Sequence, residues 1–135
     1  MKSKSKNKLL FICKQKHIYS NTANAPIASG LYNSAQFVVN MLNHNGVQAK
    51  LVHVVDNNCI DREVTLYNPT HVIIEALWVA PEKFKVLTKL HPKVKWVIRL
   101  HNEIPFLANE GIAMDWIYKY LEFKNIHIEI GRAHV

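Results

Sequence analysis

The sequence predicts an α/β domain built on an open, mostly parallel sheet of about five strands with helices on both faces. Three observations lead there. Short apolar runs of strand length alternate with stretches of helical spacing along the whole chain. Each pair of successive runs is separated by a segment long enough for a helical crossover and too long for a hairpin, which requires parallel pairing in the right-handed sense. The first and third runs are apolar at nearly every position, as expected of strands covered on both sides.

Leu9-Leu10-Phe11-Ile12-Cys13 is the first such run. A loop over 14–29, rich in Asn, Ser, Ala and Pro, follows it. Leu31, Ala35, Val38, Val39 and Leu42 then recur at helical spacing, and Gly46 stands where a C-terminal cap belongs. Lys50 to Val55 reads as the second strand, closed by Asp56-Asn57-Asn58. A short helix is predicted over Ile60 to Tyr67, ended by the turn dipeptide Asn68-Pro69. His71 to Trp78 is the third strand. Pro81 suits the first position of a helix whose Phe84, Leu87 and Leu90 share a face, and Pro92 ends it. Val94 to Leu100 is the fourth strand, and a helix is expected within Leu107 to Phe123. Asn125-Ile126-His127-Ile128 opens a fifth strand.

Composition narrows the class. The chain has 135 residues, enough for one domain with a real core. Its 49% hydrophobic content and mean hydropathy of −0.07 describe a globular chain. No apolar run is long enough to span a bilayer. The apolar run after the basic start is too short for a signal-peptide core, so a cytoplasmic location is expected. The net charge is +7, of which Lys2, Lys4, Lys6 and Lys8 supply four, leaving an ordinary body. The body lacks an Arg cluster interleaved with aromatics, so nucleic acid is not an expected partner. Cys13 and Cys59 are isolated thiols that form no disulfide framework, and no metal-ligand spacing appears.

The last residues, Glu129-Ile130-Gly131-Arg132-Ala133-His134-Val135, spell codons that resemble a common short-read sequencing adapter. On that reading residues 1–8 are a flexible basic start, 9–128 an incomplete Rossmann-like domain, and 129–135 lie outside the native sequence.

Ligands of open α/β sheets bind beyond the carboxyl ends of the strands. This rule selects Lys14, Asp56 and Asn57, Glu75 and Trp78, and His101, Asn102 and Glu103. Ser29-Gly30 opens the first helix, where backbone N–H groups can hold a phosphate or merely begin an ordinary helix. His101, after a buried strand, is placed to act as a base or as a donor to a hydroxyl, with Glu103 able to orient it. Glu75 lies within the apolar run Val72 to Val79, so it either sits at the strand's end facing the cleft or pairs with a base such as Arg99. Trp78 is the best placed of the three tryptophans for a rim. His53 reads as a core or sheet-face residue, and Cys13 as a buried small apolar one.

The succession Leu9–Cys13, the Gly30 helix, Lys50–Val55, His71–Trp78, the Pro81 helix and Val94–His101 resembles the N-terminal half of GT-B glycosyltransferases. The stretches Asp56–Glu63, Thr70–Trp78 and Ile104–Gly111 are similar to glycosyltransferase-like proteins of tailed phages in particular. The resemblance covers nearly all of residues 8–128. It implies the acceptor-side half of an enzyme that moves a sugar from a nucleotide-sugar, with no resident cofactor and the donor bound mainly by a second, C-terminal domain. It places Gly30 near the donor diphosphate and His101 at the position of a catalytic histidine. Ser29, Glu75, Trp78, Asn102 and Glu103 then belong to the substrate-facing set. Two departures stand out: His101 is followed by Asn102 where such enzymes commonly show Asp, and the first loop lacks paired glycines. The resemblance also implies an exposed apolar surface through which the half-domain can self-associate, and no activity of the half alone. The other reading of the same pattern is a non-catalytic flavodoxin-like module that binds a small ligand or a partner.

Overall fold

A computed structural model describes residues 6–15, 30–100 and 111–130. Its five strands form one all-parallel sheet in the order β2-β1-β3-β4-β5. They are β1 (Lys8–Lys14), β2 (Gln48–Val54), β3 (His71–Glu75), β4 (Lys95–Leu100) and β5 (Ile126–Ile130). Four helices connect them: α1 (Gly30–His44), α2 (Ile60–Tyr67), α3 (Pro81–Leu90) and α4 (Gly111–Tyr120). The predicted fold class is therefore the observed one.

The period of two along each strand divides the side chains between the two faces. Leu10, Ile12, Val72, Ile74, Trp96, Ile98 and Leu100 point to one face and pack with Ile60 and Val64 of α2, Phe84 and Leu87 of α3, and Tyr120 of α4. Phe11, Ala49 and Ile73 point the other way and meet Val39 of α1, with Leu9, Leu51 and Val97 at the margin. The larger core thus lies under three helices and the smaller under one. At the centre of the larger core, Phe84 meets Trp96 and Tyr120 edge-on, with ring centroids 5.5 and 5.4 Å apart. The Tyr120 hydroxyl donates to the Val79 carbonyl, which satisfies the one polar atom of that buried ring.

Local chemistry explains most boundaries. Gly46, at φ +86°, ends α1: its N–H donates to the Asn43 carbonyl and that of Val47 to the Leu42 carbonyl. Asn43 also clamps the edge strand, accepting from Ala49 N at 2.9 Å and donating to Ala49 O at 3.0 Å. Those are groups that an edge otherwise leaves open to pairing. Asp56 accepts from Asn58 N at 2.8 Å and caps the 3₁₀ turn that leads into α2. Asn68, at φ 56°, closes α2 in the left-handed conformation that asparagine tolerates. Pro81 occupies the first turn of α3.

Three expectations need correction. The third strand stops at Glu75 rather than Trp78, because Ala76 turns out of the sheet at φ 81°. Leu90 does not share the buried face of Phe84 and Leu87: it ends α3 and is 54% exposed. The fifth strand does not stop at Ile128, since Glu129 and Ile130 continue the register opposite Arg99 and Leu100.

Candidate functional site

The strand order places a topological switch point between β1 and β3. The chain leaves β1 toward β2 on one side, then crosses back to place β3 on the other side. The connections after β1 and β3 therefore diverge to opposite faces at their carboxyl ends, as they do at the switch point of doubly wound sheets. The larger core holds α2 and α3, and the smaller holds α1, in agreement with that divergence.

One row of side chains crosses the sheet at this end, on the α1 face. Cys13 of β1 stands opposite His53 of β2, Glu75 of β3 opposite Arg99 of β4, and Arg99 opposite Glu129 of β5. Glu75 is the one buried charged residue among those described, at 2% exposure. Arg99 Nη1 donates to Glu75 Oε2 at 3.2 Å, and Arg99 Nε lies 3.7 Å from Glu129 Oε1. A carboxylate in such a place is costly unless a cation and hydrogen bonds accompany it. Of the two alternatives drawn from the sequence for Glu75, the structure shows the pairing with Arg99, at the last residue of β3.

Burial and the Glu75 charge push the Cys13 thiol up to about 12, against a smaller opposing effect of Arg99. A thiol in that state is no nucleophile at neutral pH. Cys13 is buried, as its sequence suggested, and its role is packing beside the charged pair.

The backbone after Glu75 completes the described part of the site. Ala76 holds a positive φ, uncommon for a residue with a Cβ, and donates its N–H to the Arg99 carbonyl at 2.9 Å. Trp78 Nε1 donates to the Glu75 carbonyl at 2.9 Å. This folds the indole back over the strand end, and Trp78 packs half-buried against the larger core. Trp78 therefore meets the Glu75 backbone, with its indole on the larger-core face and the Glu75 carboxylate on the α1 face, and the third strand's shorter length sets Trp78 in the connection to α3. Ala76 was not among the residues singled out from the sequence. An alanine carries no sign of a left-handed backbone, so the signal lies only in the conformation.

Gly30 begins α1. Ser29, His101, Asn102 and Glu103 lie outside the described residues. Lys14 is exposed at the end of β1, and Asp56 and Asn57 form the capped turn beyond β2. His53 is exposed on the α1 face of the edge strand, a sheet-face position rather than a core one. Among the described residues no group of His, Cys, Asp and Glu is arranged to hold a metal ion, and no helix is long and apolar enough to cross a membrane. No protein-family model matches the chain, and no curated protein matches it.

Proposed function

We propose that the chain forms the acceptor-side α/β domain of a glycosyltransferase and that its ligand crevice is the β1–β3 switch point. The observation that supports this is the strand order, whose switch point lies at the carboxyl edge beside Glu75 and Arg99, with Trp78 in the connection that follows. The chemistry of that edge suits a polyhydroxylated ligand. A carboxylate accepts hydrogen bonds from hydroxyls, and a guanidinium beside it donates to hydroxyl or ring oxygens. An indole at the rim offers a flat apolar surface to a sugar ring. His101 follows directly on Leu100 of β4 and in this reading acts as the base toward the acceptor, with Asn102 and Glu103 beside it. Ser29 and Gly30 meet the donor diphosphate, and a second domain supplies most donor contacts.

The strand order also supports a second reading. The order 2-1-3-4-5 is that of flavodoxin-like modules, which bind a flavin mononucleotide at the same switch point. One titration separates the two. The whole chain is followed by amide NMR while UDP-glucose, a mixed oligosaccharide set and FMN are added in turn. Shifts at Glu75, Ala76 and Trp78 with the saccharides, and no transfer by the chain alone, support the acceptor-side domain. Tight FMN binding at those residues supports the flavodoxin-like module. Shifts confined to the opposite end of the strands remove both readings, and turnover of UDP-glucose contradicts the inactivity of the half-domain.

A further inference from the structure

The amino-terminal edge of the sheet differs in chemistry from the carboxyl edge. Each described helix runs back against the strands, so the last turns of α1 to α4 lie beside the starts of β2 to β5. Lysines collect there: Lys8 and Lys50 on the strands, Lys89 at the end of α3, Lys93 and Lys95 around the start of β4, and Lys124 before β5. All but Lys8 are exposed. Lys8 and Lys50 both lie over the Tyr67 ring, with Nζ 4.4 and 5.5 Å from its centroid, which draws two cations toward one another. The charge of Lys95 adds to burial in lowering the pKa of His71. Glu122 is the one carboxylate among the described residues of these last turns and connections, and Asp61, which reaches His91 at 2.7 Å, is held in that pair.

Favourable interaction with helix C-termini accounts for a lysine such as Lys89. It does not account for lysines on the strands, nor for the second feature of this edge. Leu66, Leu90 and Leu121 stand at or just past the ends of α2, α3 and α4, and are 74%, 54% and 59% exposed. Three helix ends on one face of the sheet thus each present a leucine to solvent among lysines. Asn125 Nδ2 donates to the Pro92 carbonyl at 3.2 Å and Trp96 N to the Asn125 carbonyl at 2.8 Å, which ties the last two of these turns together.

We propose that the amino-terminal edge of the sheet is a docking surface for an anionic lipid bilayer. Lysines near a negatively charged leaflet gain from its surface potential, and apolar side chains that enter the interface add to that attraction. The leucines decide between polyanions. Lysines serve either polyanion, but a nucleic-acid backbone offers exposed leucine nothing, whereas a lipid interface rewards it directly. The exposed end of the molecule, rather than a membrane-spanning helix, makes the contact, so the association is peripheral and reversible.

The test uses the whole chain and co-sedimentation with phosphatidylcholine vesicles, with and without phosphatidylserine. Binding to the anionic vesicles only, weakened by added salt, is expected. Reversing three exposed lysines together (Lys50→Glu, Lys93→Glu, Lys124→Glu) is expected to weaken it about 100-fold. Replacing the three leucines (Leu66→Ser, Leu90→Ser, Leu121→Ser) is expected to weaken it by about tenfold or more. Lys83→Glu, at the other end of α3, is the control and leaves it within about twofold. Circular dichroism confirms that each variant is folded. The proposal is overturned by absence of binding, or by binding that ignores both triple variants, which would assign it to the N-terminal lysine segment alone. It is also overturned if oligonucleotide binds in a lysine-dependent way while vesicles do not, or if the leucines govern self-association and not sedimentation with lipid.

Discussion

Arg99 is the residue whose removal should damage the carboxyl edge most. Arg99→Met keeps most of the aliphatic volume and deletes the cation 3.2 Å from a glutamate whose side chain is 1% exposed. Removing one partner of a buried pair costs about 3–5 kcal/mol, because the other charge loses its compensation in a medium that solvates it poorly. Glu75→Gln perturbs the same pair from the other side and should cost less. The amide still accepts from Arg99, and Arg99 keeps Glu129 at 3.7 Å and is itself 19% exposed, so its charge stays partly solvated. A loss of about 1–2 kcal/mol is expected there. The double replacement Glu75→Leu with Arg99→Met removes both charges and should recover much of the Arg99→Met loss, as apolar replacement of whole buried pairs does elsewhere. Urea unfolding followed by tryptophan fluorescence supplies all three numbers, and Arg99→Met should lower the thermal midpoint by roughly 10 °C. Two outcomes would refute the reasoning: a cost for Arg99→Met below that of Glu75→Gln, or a double variant no more stable than Arg99→Met. Either would mean that the pair does not carry the burial of Glu75.

Further perturbations probe other parts of the molecule. Ala76→Gly should raise stability by up to about 1 kcal/mol, since φ 81° strains any residue with a Cβ, and denaturant melts would show it. Phe84→Ala should cost about 3–5 kcal/mol by opening a cavity against Trp96 and Tyr120, measured the same way. Burial, and secondarily the charge of Lys95, lower the His71 pKa from 6.5, so the unfolded chain takes up this proton first as pH falls. Its contribution to stability is therefore fully present above pH 6.5 and is lost as pH falls from there toward the lowered folded value. His71→Gln should flatten the stability–pH curve in that window and leave it unchanged above it. In the native chain a disulfide reagent should modify half-buried Cys59 long before Cys13, whose burial and raised pKa suppress the thiolate; equal rates would contradict that packing.

The elements most legible in the sequence are those whose boundary is written in a residue with special backbone chemistry. α2 begins and ends where Ile60 and the Asn68-Pro69 dipeptide indicate, α3 begins at Pro81, and Gly46 terminates α1. In each case a local steric rule acts without help from the rest of the fold. β3 is three residues shorter than its apolar run implies, because Ala76, Leu77 and Trp78 continue that run and hydropathy alone does not separate a strand from an apolar exit loop. Leu90 keeps the spacing of Phe84 and Leu87, yet it falls on the last residue of its helix and is exposed, so spacing alone does not place it in the core. For the site, the carboxyl-edge rule located Glu75, and the sequence allowed Arg99 as its partner. What pairing required was register: Glu75 and Arg99 become neighbours only because β3 and β4 align His71 with Lys95. A one-residue slip would turn one of the two to the opposite face.

The two ends of the sheet make compatible demands. Strands rise about 3.3 Å per residue, and Lys50, Lys95 and Lys8 stand three, four and five residues before the row through Cys13, Glu75 and Arg99, so roughly 10–17 Å separates them from it. That exceeds the Debye length at physiological ionic strength, about 8 Å, so charge at one end is largely screened from the other. A bilayer against the lysine edge would therefore leave the β1–β3 crevice open to solvent and its buried ion pair unperturbed. Reversal of Lys50, Lys93 and Lys124 should then weaken vesicle binding about 100-fold without changing saccharide-induced shifts at Glu75, Ala76 and Trp78. Loss of both in one variant would show that the ends are coupled through the fold, most directly through β3, whose first residue, His71, sits among the lysines and whose last, Glu75, anchors Arg99.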